Sequence, residues 1–210
     1  MADSFGKEQL QKDMDYVAFD PDDSNAEPCQ KVLAQHYDDP EQRYFNQLSK
    51  VTESYGDHSF DTVILINVFH EIEAVDWLRV LEQIQGLLKP EGELIVLEDT
   101  LIPIGEQANR NGFLVLNSVL WRVLLNDPGD NPKFTVAKHP GNQRLQAFRI
   151  QAGLLSQVTA KTREETLKRS VKQARQRITE LKGQKKLGFR EGKELGFWHQ
   201  QLAATILSQG

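Results

Sequence analysis

The chain has 210 residues, long enough for one α/β domain with an extension and for burial of about 70% of the unfolded surface. Its 39% hydrophobic and 26% charged residues are ordinary for a globular protein in water, and no apolar run approaches the ~18 residues of a membrane span. Cys29 is the only cysteine, which excludes an internal disulfide and a cysteine-cluster metal site, and with no signal-peptide pattern at Met1 the expected compartment is the cytoplasm.

The net charge of −5 hides a split, since residues 1–160 carry 25 acidic against 13 basic side chains while 161–210 carry 5 against 12. Such asymmetry fits two surfaces that attract each other, within one chain or between two copies, and it also fits a tail that faces nucleic acid.

Residues 6–14 (GKEQLQKDM) are a polar run of good helix formers. Residues 16–20 (YVAFD) read as a strand, closed by the turn DPDDS, in which proline fixes its own backbone and aspartate and serine bond locally. A weakly apolar helix is expected over 26–37, broken by Asp38-Asp39-Pro40. Residues 43–46 (RYFN) read as a short strand, followed by a polar connection through His58.

Residues 60–99 organise the rest. Thr62-Val63-Ile64-Leu65-Ile66 is a continuous β-branched apolar run, which is how a strand covered on both faces reads, and it ends at Asn67. From Trp77 the apolar positions fall at Trp77, Leu78, Val80, Leu81, Ile84, Leu87 and Leu88, one broad helical face with Asp76 at its positive N-terminus. Lys89-Pro90-Glu91-Gly92 is expected to turn the chain into a second apolar strand, 93–97, that ends in Glu98-Asp99. Strand, helix and strand at this spacing predict a parallel, right-handed βαβ unit.

Beyond Asp99 a polar loop over 100–111 leads to a largely buried helix over 113–125 and then to a hairpin of 133–137 against 144–150 around Pro140-Gly141. Thr162-x-x-Glu165 matches a capping box, so a long helix is expected from there, with an apolar stripe at Leu167, Val171, Ala174, Ile178 and Leu181 and basic remaining faces. A last helix over 197–207 would offer Phe197, Trp198, Leu202, Ile206 and Leu207 as the complementary face. The stripe is expected to dock on the domain, the last helix or a second subunit, while Lys168, Arg169, Lys172, Arg175 and Lys182 are the groups that would meet phosphate, without aromatic residues to stack bases.

This order of elements is that of a doubly wound sheet that finishes with an antiparallel pair, and ligands of such sheets sit at the carboxyl ends of the strands. That rule selects Asp20, Asn46, Asn67 with His70, and Asp99 as one candidate crevice. His70 reads either as a hydrogen-bonded structural residue or as a general base for a substrate hydroxyl, and Glu71 is its neighbour in sequence. The pair at 69–70 is Phe-His, so no second imidazole is there to share a metal.

The motifs YVAFDPD, FDTVILINVFHEI and LLKPEGELIVLED resemble the class I S-adenosylmethionine-dependent methyltransferases, over about residues 6–150. The resemblance implies a Rossmann-like, mostly parallel α/β fold and S-adenosylmethionine as cofactor. It assigns Asp20, an acid that can accept two hydroxyl hydrogen bonds, to the ribose, and Asn46 and Gln47 to the adenine. Asn67, Val68, His70 and Glu71 would line the methyl and substrate side, with His70 and Glu71 as catalytic candidates and Asn67 also counted to the cofactor side. Gly6 would be the last glycine of the family's glycine-rich turn, whose strand would precede Met1. Three readings follow: a start internal to a longer protein, a partner that supplies the strand, or a methyltransferase-like protein that does not bind the cofactor.

The expected organisation is thus an N-terminally incomplete methyltransferase-like domain, 1–155, and a basic helical extension, 156–210. The expected function is methyl transfer to an oxygen or carbon acceptor. No Asn/Asp-Pro-Pro-aromatic motif follows the 62–66 strand, which weighs against an amino-group acceptor, and Cys29 is badly placed for a cysteine adduct. The alternative function is an inactive scaffold, or a nucleic-acid-binding or partner subunit, acting through the basic helix.

Overall fold

A computed structural model describes residues 14–101, 113–129, 131–139 and 142–209. The chain divides into two compact units, Met1–Asp57 and His58–Gly210.

In the first unit β1 (Ala18–Phe19) and β2 (Tyr44–Phe45) pair in parallel, Ala18 with Tyr44 and Phe19 with Phe45. Both are shorter than the strands predicted at 16–20 and 43–46, although the backbone N–H of Asp20 still donates to the Phe45 carbonyl at 3.0 Å. Helix α1 (Ala26–Leu33) connects them and stops four residues short of the predicted Tyr37, with a turn in which the N–H groups of His36 and Tyr37 both donate to Leu33. Ala18, Leu33 and Tyr37 form a small core with Cys29 and Tyr44 against it. The polar connection expected before His58 contains a helix, α2 (Leu48–Tyr55). Its single buried residue, Val51, sits one turn from Leu48 and Tyr55, and Gly56 closes it at φ 82°.

The second unit carries the βαβ motif. Strand β3 (Phe60–Ile66), helix α3 (Trp77–Leu87) and strand β4 (Leu88–Asp99) follow in order, and β3 and β4 are parallel from Thr62 opposite Glu93 to Ile66 opposite Leu97. Residues 89–92, predicted as a turn before the strand, lie inside β4 as an irregularity, because Phe60 is opposite Leu88 while Thr62 is already opposite Glu93. Gly92 makes this possible: a Cβ there would stand 3.0 Å from the carbonyl oxygens of both Phe60 and Lys89.

Strands β5 (Phe134–His139) and β6 (Asn142–Gln151) form the predicted antiparallel hairpin, and β6 also runs antiparallel to β4. The sheet order is β3-β4-β6-β5. The helix expected over 113–125 begins only at Ser118: α4 (Ser118–Leu124) is capped by the Asn117 side chain, which accepts from Leu120 N–H at 3.1 Å, and the buried residues 113–116 before it are not helical.

A short helix α5 (Ala152–Leu155) follows β6, and the long helix α6 (Ala160–Lys182) starts two residues before the predicted Thr162. The capping box is present, but its partners are Thr159 and Thr162 rather than Thr162 and Glu165. On α6 the predicted stripe faces inward at Leu167, Ala174, Ile178 and Leu181, joined by Thr166 and Ser170. Helix α7 (Phe189–Leu207) is eight residues longer than predicted and docks through Phe197, Gln201 and Thr205. Ile206 and Leu207, placed on the docking face by their apolarity, are 47% and 75% exposed. The hydroxyls of Ser170 and Thr205 meet at 3.0 Å, and the Arg177 guanidinium grips both carboxylate oxygens of Glu194, at 2.7 and 3.1 Å. Polar contacts at a spacing of four, which no hydrophobic count detects, set this face.

The core of the second unit is built from Phe69, Trp77, Leu81, Leu94, Val96, Trp121, Phe148 and Ile150 with their neighbours on α4, α5 and α6. No helix among the described residues is long and apolar enough to cross a membrane.

Candidate active site

Two parallel strands end side by side at Ile66 and Asp99, and the chemistry of the second unit gathers there. Past β3 the N–H of Asn67 still donates to the Leu97 carbonyl at 2.8 Å, after which Asn67 adopts φ 52°, a left-handed conformation that asparagine tolerates better than most residues. The chain reverses into a single 3₁₀ turn, Phe69–Glu71, that buries Phe69 and His70.

The amides at the start of that turn point at Glu98. Phe69 N–H donates to its Oε1 at 2.8 Å, and His70 N–H approaches the same oxygen at 3.4 Å. The other carboxylate oxygen lies 2.5 Å from His70 Nδ1. Glu98 is 2% exposed and His70 5%. Leu94, Val96 and Glu98 alternate along β4, so the strand that carries two wholly buried apolar side chains into the core carries a carboxylate in the same direction two residues on. A buried carboxylate is tolerated only when paired and hydrogen-bonded, and the turn after β3 supplies both.

This arrangement orders the imidazole. An ionised carboxylate only accepts hydrogen bonds, so a ring nitrogen 2.5 Å from it carries the proton, and a neutral His70 then keeps its lone pair on Nε2. The ring is also fixed from another side, because Phe113 N–H donates to the His70 carbonyl at 2.5 Å and the two rings stand 5.4 Å apart. Phe113 holds φ 75°, a strained value for a bulky residue. Behind the pair, Phe69 packs against Trp77 and Trp121 at 5.5 and 4.5 Å, and the indole of Trp77 donates to the Ile72 carbonyl at 3.0 Å.

The other sequence candidates fall as follows. Asn67 and Glu71 are exposed, whereas His70 next to Glu71 is buried. Asp99 is buried on β4 opposite Leu145. In the first unit, Asp20 and Asn46 follow the adjacent parallel strands β1 and β2, so they sit at the carboxyl ends of neighbouring strands as the strand-end rule requires. Asp20 Oδ1 accepts from Asp22 N–H at 2.8 Å and Oδ2 from the Asn25 side chain at 3.0 Å. Asn46 donates to Asp23 Oδ1 at 2.7 Å, and Gln47 is exposed at the N-cap of α2. Gly6 lies outside the described residues. The candidates grouped as one crevice are therefore divided between the two units, Asp20 and Asn46 in the first, Asn67, His70 and Asp99 in the second.

A pocket of about 470 Å³ in the first unit is lined by Met14, Asp15, Tyr37, Asp38, Asp39 and Arg43. Its charges are already spent: Arg43 binds Asp39 at 2.6 Å, binds Asp15, and stacks 4.2 Å from the centre of the Tyr37 ring.

Sequence reasoning missed Glu98. It counted Glu98-Asp99 as a polar strand end and carried Asp99 forward, although the alternation Leu94, Val96, Glu98 places the glutamate on the covered face. That alternation was the available signal.

Residues 2–94 match the profile of the family described as "Methyltransferase domain". The matched stretch contains Asp20, Asn46, Asn67 and His70 and stops before Glu98. No curated protein matches the chain. Among solved structures, a protein assigned as a type 11 methyltransferase from Sulfolobus solfataricus is similar at 15% identity and a TM-score of 0.39, covering 72% of this chain and 92% of that one. An O-methyltransferase family protein from Burkholderia thailandensis is similar at 18% identity and a TM-score of 0.44, covering 71% of this chain and 48% of that one, so the chain spans about half its length. With the parallel βαβ motif and the match to that profile over residues 2–94, the fold is a Rossmann-like α/β fold similar to that of methyltransferases.

Proposed function

We propose that the protein is an S-adenosylmethionine-dependent methyltransferase in which His70 is the general base for an oxygen or carbon acceptor. The observation that carries this reading is the buried His70–Glu98 pair at the carboxyl ends of two parallel strands. A neutral imidazole whose Nδ1–H is committed to a carboxylate offers Nε2 as the proton acceptor, and Glu98 stabilises the imidazolium formed when the acceptor's O–H or acidic C–H proton arrives. Loss of that proton turns a weakly nucleophilic hydroxyl or carbon acid into an oxyanion or carbanion. When bound, S-adenosylmethionine would supply the electrophilic methyl group.

The residues of the first unit fit such a cofactor. Each oxygen of Asp20 accepts one bond within its own loop, and a carboxylate has about four lone-pair sites, so acceptor capacity for a ribose diol remains. Asn46 and Gln47 offer amides at the next strand end for an adenine edge.

Calorimetric titration with S-adenosylmethionine and transfer of a labelled methyl group to a panel of phenols and β-dicarbonyl compounds test this together. The expected result is binding by wild type, unchanged binding by His70→Gln, and transfer only by wild type. Transfer by His70→Gln at the wild-type rate rules out the assigned base.

A further inference from the structure

We infer that the C-terminal helix α7 is a working part of the candidate site, with Gln201 as a positioning residue that fixes His70 through Phe113. The inference rests on the reading of His70 as the base.

Gln201 is 2% exposed, and both ends of its amide are used on one short segment. Nε2 donates to the Phe113 carbonyl at 2.5 Å, and Oε1 accepts from Val115 N–H at 3.0 Å. One side chain thus supplies the donor and the acceptor that a neighbouring strand would offer to residues 113–115. The segment then reaches the site directly, since Phe113 N–H donates to the His70 carbonyl and its ring lies against the imidazole. Glu98 holds His70 by its backbone N–H and Nδ1; Phe113 holds it by its carbonyl and ring face.

The backbone of Phe113 shows why such a clamp is needed. A φ of 75° is costly for a bulky residue and persists only where the surroundings over-determine it. Among the described residues, the bonds from Gln201 and to His70 hold Phe113 in place. Gln201 is anchored in turn, because its own carbonyl accepts the Thr205 hydroxyl at 2.7 Å, and Thr205 meets Ser170 of α6. Phe197, the Thr205–Ser170 contact and the Arg177–Glu194 pair also hold α7 in place, and neither of these polar contacts involves residues 113–115. The placement of a fully used amide on the segment that touches His70 is what points to positioning.

The test uses the full chain with ¹⁵N-labelled histidine, His70 being assigned by the signal lost in His70→Gln. In wild type the ring gives the pattern of the Nδ1–H tautomer. Gln201→Leu is expected to shift or broaden the His70 ring signals, while Glu194→Gln, which weakens the Arg177 contact between α6 and α7 and touches neither Gln201 nor Phe113, leaves them in place. Gln201→Glu keeps the shape and the acceptor but loses the donor to Phe113, so a partial shift is expected; if Gln201→Leu does not fold, the comparison of Gln201→Glu with Glu194→Gln decides. His70 signals unmoved in the folded Gln201 variant, or moved as far by Glu194→Gln, overturn the inference. These signals are read without cofactor, so the inference can fail while S-adenosylmethionine still binds. Absence of that binding instead removes the methyltransferase reading and leaves the ring signals interpretable.

Discussion

The carboxylate of Glu98 takes a backbone N–H on one oxygen and the His70 ring on the other, so it has only acceptors to offer and dictates where the imidazole proton sits. In Glu98→Gln the amide oxygen can keep the Phe69 N–H, which leaves an NH₂ group facing Nδ1. Nδ1 must then accept, the proton moves to Nε2, and the base is lost. Methyl transfer is expected to fall by about 100-fold or more with S-adenosylmethionine affinity and melting little changed. Glu98→Ala leaves the Phe69 amide and the ring nitrogen buried without their acceptor, and urea unfolding should show a loss of about 3 kcal/mol. His70 was legible in the sequence because it follows directly on an unmistakable strand end. Its partner was not, because the two lie 28 positions apart and meet only through the parallel register of β3 and β4.

Elements with a strong apolar period were read correctly, and those set by polar contacts were misread. The stripe of α6 and the strands of the βαβ motif were visible because aliphatic side chains recur along them, Leu167, Ala174, Ile178 and Leu181 on α6 and Leu94 and Val96 on β4. Helix α2 was missed because only Val51 of its eight residues is buried, and α7 was truncated because its first eight residues, 189–196, bury no side chain. The turn assigned to residues 89–92 is a bulge in β4 held by Gly92. Gly92→Ala would press a methyl group on the carbonyls of Phe60 and Lys89, and a loss of about 1–3 kcal/mol in unfolding free energy is expected.

The Arg177–Glu194 pair between α6 and α7 has a pH signature. The Arg177 hydrogen bond, against some desolvation, holds the Glu194 carboxyl below its usual value. A carboxyl depressed in the folded state stabilises above the unfolded pKa, about 4.3, and loses that contribution as pH falls through the lower folded value. Melting temperatures of wild type and Glu194→Gln should therefore differ at neutral pH and converge only in acid, once the pH falls below the depressed folded value.

At the scale of the molecule, the described chain is two units with unequal cores. The second holds almost all the large buried apolar side chains, whereas the first is organised on Ala18, Leu33 and Tyr37. The α/β class and the strand-helix-strand order of residues 60–99 were legible in the sequence, because alternating strand and helix periods are local properties. The division of the strands into a two-stranded and a four-stranded sheet was not legible, since pairing between distant strands leaves no periodic mark. The nucleoside assignment for Asp20 rests in the first unit and the base assignment for His70 in the second.

Calorimetric titration of the full chain with S-adenosylmethionine, beside Asp20→Ala and His70→Gln, tests the account most directly. Saturable binding by wild type and by His70→Gln, with binding lost or much weakened in Asp20→Ala, is the predicted result. A wild-type chain that gives no heat up to high micromolar S-adenosylmethionine contradicts it.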